Sequence, residues 1–263
     1  MSAPSVAEVR SGGQPPGLKD RRNEEHWAGR LYMRRISPYF TWLFVRIGFS
    51  PNQLTYMMIV SGMLGGAAVA VKAGGTPGLV WAIVGAVLIQ AYLLLDCSDG
   101  EVARYRKRTS VTGVFLDRIG HYMSEVALLV GLGVRAQGAW ENGGYIELGL
   151  LAALGAALIK AETDNVVVAR AKSGLLADPS TGDRALRPES TGLALAREAV
   201  SMLKLHRIIG AVELSLLIVA AAVIDKLTDG LTATRVLAVA VAAVAVLQTG
   251  LHFVSIVASR RLK

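Results

Sequence analysis

Four side chains within a short stretch could hold a divalent cation and move a proton: Asp96, Asp99, Asp117 and His121. Asp96 and Asp99 are spaced i, i+3, and Asp117 and His121 are spaced i, i+4, so each pair shares one face if its segment is helical. Two such faces brought together form an oxygen-rich cage suited to Mg2+ or Mn2+. An imidazole adds a proton acceptor, because an unperturbed histidine titrates near pH ~6.5. The four residues flank apolar runs. A carboxylate at a membrane boundary is costly unless it is paired, hydrated or bound to a cation, so the cluster is a functional candidate.

The elements that must position these groups are long apolar helices. The chain has 263 residues, 52% of them hydrophobic, and the apolar residues come in blocks. Residues 52–71, 73–95 and 236–258 carry no Asp, Glu, Lys or Arg, and each is long enough to cross a hydrocarbon core of about 30 Å. Three further apolar runs contain ionisable groups: 119–134 with His121 and Glu125, 145–168 with Glu147, Lys160, Glu162 and Asp164, and 208–224 with Glu213. Glu213 would be costly against lipid and is expected to face the bundle. The pattern predicts an all-α integral membrane protein with six transmembrane helices. Gly62 and Gly66 form a small-xxx-small pair suited to close helix packing.

Before the first span, residues 1–22 read as a disordered tail rich in Ser, Gly, Pro and charge. Residues 23–50 read as an amphipathic juxtamembrane helix, with Trp27, Leu31, Tyr32, Ile36, Tyr39, Phe40 and Leu43 near helical spacing and Arg30, Arg34, Arg35 and Arg46 between them. Pro38 is expected to kink or divide it. Residues 51–263 form the membrane domain. All but Lys72, Arg135, Lys160, Lys226 and Arg235 of the 28 Lys and Arg fall on one side of a six-span topology, which places both termini and the aspartate cluster on the cytoplasmic side of the cell membrane. No early apolar run suggests a cleavable signal. Cys97, the single cysteine, excludes an intramolecular disulfide and reads as a small apolar filler. The basic residues sit beside membrane spans, which argues for headgroup contact and against nucleic-acid binding. The segment 173–190 reads as a mobile loop.

The run from Asp96 to His121, D-C-S-D-G-E-V-A-R-Y-R-K-R-T-S-V-T-G-V-F-L-D-R-I-G-H, resembles the signature of the CDP-alcohol phosphotransferases, D-x2-D-G-x2-A-R followed by G-x3-D-x3-D. Asp96, Asp99, Gly100, Ala103, Arg104, Gly113 and Asp117 stand in register, and His121 occupies the place of the fourth aspartate, to which the family assigns the catalytic base. Pro51-Asn52-Gln53-Leu54-Thr55 is similar to the family's P-N-x-x-T at the start of its first span, beside the cytidine nucleotide. The run from Val168 to Gly174 looks similar to an R-A-x2-G region of the family.

This resemblance implies transfer of a substituted phosphate from a CDP-alcohol, with CDP-diacylglycerol as the leading donor, to an acceptor hydroxyl, releasing CMP in phospholipid biosynthesis. It implies Asp96, Asp99 and Asp117 as ligands of Mg2+ or Mn2+, with His121 beside them, and a nucleotide site of Asn52, Thr55, Gly100, Ala103, Arg104 and Gly113. Arg170, Lys160 and Arg207 become candidates for the acceptor or its phosphate, and a homodimer is implied. His121 has three readings: a replacement base acting with Asp117, a ligand of a softer ion, or the mark of a lost base. Glu125, one turn on, could orient the imidazole, replace the missing carboxylate or bond to a neighbouring helix. Two alternatives stand beside the leading reading: a member using a non-lipid CDP-alcohol, and a degenerate CDP-lipid-binding protein. A cation transporter would not need Gly, Ala and Arg at the motif offsets.

Overall fold

The computed structural model of the chain describes residues 4–15, 28–138, 143–175 and 210–258. Among these residues there are eight α-helices: α1 (Val6–Gly13), α2 (Arg34–Ile47), α3 (Pro51–Val71), α4 (Gly75–Tyr105), α5 (Val111–Gln137), α6 (Gly144–Lys172), α7 (Ala211–Leu227) and α8 (Thr232–Val257). A π-helical turn, Gly29–Met33, leads into α2.

Helices α3, α4, α6 and α8 are long and apolar enough to cross a membrane. Helix α5 has the length but a more polar composition, and α7 has 17 residues. Many of their large apolar side chains point outward, among them Val60, Val87, Leu154 and Val236. That arrangement suits a hydrocarbon solvent. Glu213 is buried, and Cys97 lies in the apolar core.

Local chemistry explains the helix ends near the candidate site. Ser50 opens α3 with a capping box: its Oγ accepts from the Gln53 amide at 3.3 Å, and the Gln53 side chain accepts from the Ser50 amide at 2.9 Å. Pro51 fills the first helical position, where its missing N–H is harmless. Ser110 caps α5 through the Gly113 amide at 2.9 Å. Gly48 closes α2 with φ +90°, a left-handed conformation that favours glycine.

The expectation for residues 1–22 needs correction. Helix α1 forms inside that stretch, started by a capping box between Ser5 and Glu8, and it is tied down by Trp42, whose Nε1 donates to the Pro4 carbonyl at 2.7 Å. Pro38 does not divide the next segment, because α2 runs through it. The segment 176–190, part of the expected mobile loop, lies outside the described residues.

Helix α3 sits between α4 and α5, and glycines bring the three together. A Cβ on Gly66 would lie 2.3 Å from the Ala127 carbonyl carbon of α5, and one on Gly131 would lie 2.3 Å from the Gly66 oxygen. Gly65 and Gly85 make the corresponding approach between α3 and α4, where a Cβ on Gly85 would lie 2.9 Å from the Gly65 oxygen. Gly62, of the expected small pair, meets Ser124 of α5. Backbone lies against backbone here, so an inserted side chain has nowhere to move. Gly66→Leu is therefore expected to destabilise the protein by about 3 kcal/mol or more, whereas Gly250→Leu, at a position with nothing within 4 Å, should leave the melting temperature in detergent nearly unchanged. Equal melting temperatures for the two variants would refute this account of the packing.

Candidate functional site

The C-terminal part of α4 and the N-terminal part of α5 converge beside the start of α3. Asp96 and Asp99 come from α4, Asp117 and His121 from α5, and Asn52 and Thr55 from α3. Together they line a cavity of about 290 Å3. Gly100, Ala103, Arg104 and Gly113 line the same cavity, as do Arg34, Arg108, Thr109 and Ser110.

One ligand atom each from Asp96, Asp117 and His121 can be chosen so that all lie within 4.8 Å of one another. His121 Nε2 is 3.3 Å from an Asp96 oxygen and 3.6 Å from an Asp117 oxygen. All three side chains are partly exposed to the cavity, so an ion or substrate can reach them. Bonds of about 2.0–2.3 Å to one central ion come close to spanning such a triangle. Two carboxylates and an imidazole fit Mn2+ or Zn2+ better than the all-oxygen shell that Mg2+ prefers.

Asp99 is placed differently from the other acids. It is buried, and one of its oxygens accepts from Thr55 Oγ1 at 2.6 Å. It lines the cavity but stands outside the group of three. Thr55 thus ties α3 to α4 through the second motif aspartate. The smallness of the lining has a steric role as well. A Cβ at Gly113 would approach Asn52 Oδ1 to 3.2 Å, and one at Gly100 would approach an Arg104 terminal nitrogen to 3.0 Å. Larger residues would crowd the polar groups that face the cavity.

His121 is held from its other side by Tyr92. The Tyr92 hydroxyl hydrogen-bonds to His121 Nδ1, and the two rings meet edge to face with centroids 5.8 Å apart. Tyr92 lies one turn before Asp96 on α4 and is buried. Because Nδ1 is engaged by the phenol, Nε2 is the nitrogen turned to the carboxylates. Such an outer partner orients the ring and selects its tautomer.

Other candidates lie elsewhere. Glu125 does not orient the imidazole: it pairs with Lys160 of α6 at 3.1 Å. Asp164 of α6 pairs with Arg118 and accepts from the Tyr122 hydroxyl at 3.2 Å. Neither Lys160 nor Arg170 lines the cavity, and Arg207 lies outside the described residues. The sequence reading missed Tyr92, Arg34 and Arg108 as parts of the site. Tyr92 had a legible signal, since it precedes Asp96 by four residues and so shares its helix face. Arg34 had none, because its approach depends on how α2 folds back.

Comparison with known proteins bears on this arrangement. A family model described as CDP-alcohol phosphatidyltransferase matches residues 49–224. The bifunctional IPC transferase and DIPP synthase of Aquifex aeolicus (strain VF5) is 34% identical over 112 residues, covering 43% of this chain and 23% of that protein. The chain thus matches under a quarter of the length of that relative. The family match takes in the motif and all the cavity-lining residues except Arg34, and on that evidence the chain belongs to the CDP-alcohol phosphatidyltransferase family, a family of transferases of the EC 2.7.8 type.

Proposed function

We propose that this protein transfers a substituted phosphate from a CDP-alcohol to an acceptor hydroxyl and releases CMP, with CDP-diacylglycerol as the leading donor. The observation that carries this reading is the convergence of Asp96, Asp117 and His121 on a cavity that the motif residues Gly100, Ala103, Arg104 and Gly113 also line. The acceptor oxygen forms a bond to the phosphorus that carries the alcohol, the pyrophosphate P–O bond breaks, and CMP takes the leaving electron pair. Arg34, Arg104 and Arg108 supply positive charge for the pyrophosphate, with the guanidinium fork suited to paired phosphate oxygens. Asn52 and Thr55 form the cytidine side, next to the room left by Gly100, Ala103 and Gly113.

Asp96 and Asp117 would hold a divalent cation, Mn2+ or Mg2+, with Asp99 anchored behind them by Thr55. When bound, such an ion supplies charge neutralisation at the phosphate oxygens. His121 is the proton acceptor in this reading. With Nδ1–H donating to the Tyr92 oxygen, the Nε2 lone pair takes the hydroxyl proton beside Asp96 and Asp117, and these carboxylates accept a hydrogen bond from the imidazolium that results. The compact Asp96–Asp117–His121 triangle favours a second reading, in which His121 Nε2 is an ion ligand. We further propose a homodimer of six-span subunits with both termini and the site on the cytoplasmic side. Lys160, Arg170 and Arg207 remain the proposed contacts for the acceptor, reached from α6 and the segment before α7.

The test is CMP release by purified protein with Mg2+ or Mn2+, supplied with CDP-diacylglycerol or a non-lipid CDP-alcohol across a panel of acceptor alcohols. CMP release with CDP-diacylglycerol supports the leading donor. Release with the soluble donor alone moves the donor class to a non-lipid alcohol. No release with any pair, while CDP-lipid still binds, points to a binding protein and defeats the enzymatic reading.

A further inference from the structure

The N-terminal segment packs on the back of the motif helix in a way that concerns the cavity. Helix α1 ends in Gly12-Gly13, and both glycines lie against α4. A Cβ on Gly13 would sit 3.1 Å from Glu101 Cβ, and one on Gly12 would sit 3.0 Å from the Tyr105 ring. The approach places the Gly13 carbonyl 2.6 Å from Nε of Arg104, which donates to it. Arg104 also lines the cavity. A guanidinium bonded through Nε has its orientation set, and its terminal nitrogens then lie over Gly100.

The docking is specified by polar groups. Gln14 Nε2 donates to Glu101 Oε1 at 2.8 Å and to the Arg34 carbonyl at 2.9 Å. That carbonyl is available because Pro38, four residues on, has no N–H to give it. Glu101 is buried, with its oxygens also taking Ser37 Oγ and Thr41 Oγ1 at 2.6 Å each and Arg34 at 3.5 Å. A buried carboxylate with this many donors is favourable only while all of them are in place. Helices α1, α2 and α4 therefore form one polar junction beside the cavity, and two of the arginines that face the cavity, Arg34 and Arg104, take part in it.

We propose that the docked N-terminal segment, through the carbonyl of Gly13 and the amide of Gln14, is a positioning element that aims Arg104 at the pyrophosphate of the nucleotide donor. This rests on the nucleotide reading of the cavity given above. Gly13 and Gln14 touch neither substrate nor ion, so they act through Arg104. Undocking the segment should therefore weaken nucleotide binding and leave the chemical step largely intact.

The experiment measures CMP affinity and donor kinetics in the full-length protein with Gly13→Leu, Gln14→Ala, Arg104→Ala and the two pairwise combinations with Arg104→Ala. Gly13→Leu forces the segment off α4, while Gln14→Ala removes its bonds without adding bulk, so a folding defect in the first does not decide the outcome. The expected result is a rise of about tenfold in the CMP Kd and donor KM for each of the two N-terminal variants, with kcat within about threefold. Arg104→Ala should cost far less in either variant background than in the wild type, since the residue is no longer aimed. By reciprocity, CMP should slow hydrogen exchange of the amides in residues 6–14. Wild-type CMP affinity in both N-terminal variants, or effects that simply add to those of Arg104→Ala, overturns the positioning role and leaves the phosphotransferase reading standing. Failure of the wild type to bind CMP at all sinks both.

Discussion

Asp96→Asn is expected to lower CMP release by about a thousandfold or more while the protein stays folded. Asp96 is partly exposed, so removing its charge leaves no large buried debt. Its oxygen lies 3.3 Å from His121 Nε2, and it is one of only two carboxylates in the group of three. Losing it removes one carboxylate from that group and also an acceptor for the protonated imidazole. Asp99→Asn should behave differently. Asp99 is buried and bonded to Thr55 at 2.6 Å, so its substitution should lower the melting temperature as well as activity. Activity assays run beside thermal melts in detergent separate the two. Full activity of Asp96→Asn would remove the basis for the proposed chemistry.

The second large effect concerns His121. His121→Ala should reduce kcat by about a hundredfold to ten-thousandfold, the range for loss of a positioned general base. His121→Asp should recover part of that loss, because a carboxylate can accept a proton and matches the motif position. It should also move the ion preference from Mn2+ towards Mg2+, since the donor set then becomes all oxygen. The two readings of His121 part here. If it acts as base, the affinity for Mn2+, measured by paramagnetic resonance, stays near the wild-type value in His121→Ala. If it is an ion ligand, that affinity falls together with kcat. Tyr92→Phe, which removes the partner of Nδ1, should have a smaller effect in the same direction.

Much of this site can be read from the chain because the chemistry obeys helix geometry. Asp117 and His121 are one turn apart and share a helix face by spacing alone, whereas their meeting with Asp96 of another helix was implied by the family motif. The ligand role expected of Asp99 came from the family resemblance, and its spacing puts it on the same helix face as Asp96. Spacing says nothing about a competing partner, and Thr55, on a third helix, takes one of its oxygens. Glu125 illustrates the same limit, because Lys160 of α6 pairs with it. Both cases depend on contacts between segments far apart in the chain. Of the six spans expected from the apolar blocks, four are helices long and apolar enough to cross a membrane among the described residues, since length and absence of charge are local properties. Helix α1 was hidden by Gly12, Gly13 and the prolines that follow, which read as a loose tail. Its start was nevertheless written in Ser5 and Glu8, a capping pair three residues apart. Its stability comes from docking, which composition does not report.

The glycine contacts along α3 bear on how the site can adapt to different ions. With α4 and α5 each seated backbone to backbone on the same helix at Gly65 and Gly66, the two helices that carry Asp96, Asp117 and His121 have little room to slide at those contacts. A larger or smaller cation cannot be accommodated by sliding them apart or together. The remaining freedom lies in the reach and donor type of the side chains themselves. In the second reading of His121, as an ion ligand, the histidine is an adjustment of that kind: its imidazole extends further from the helix than an aspartate carboxylate does, and it would alter the coordination radius and hardness of the site over an unchanged frame.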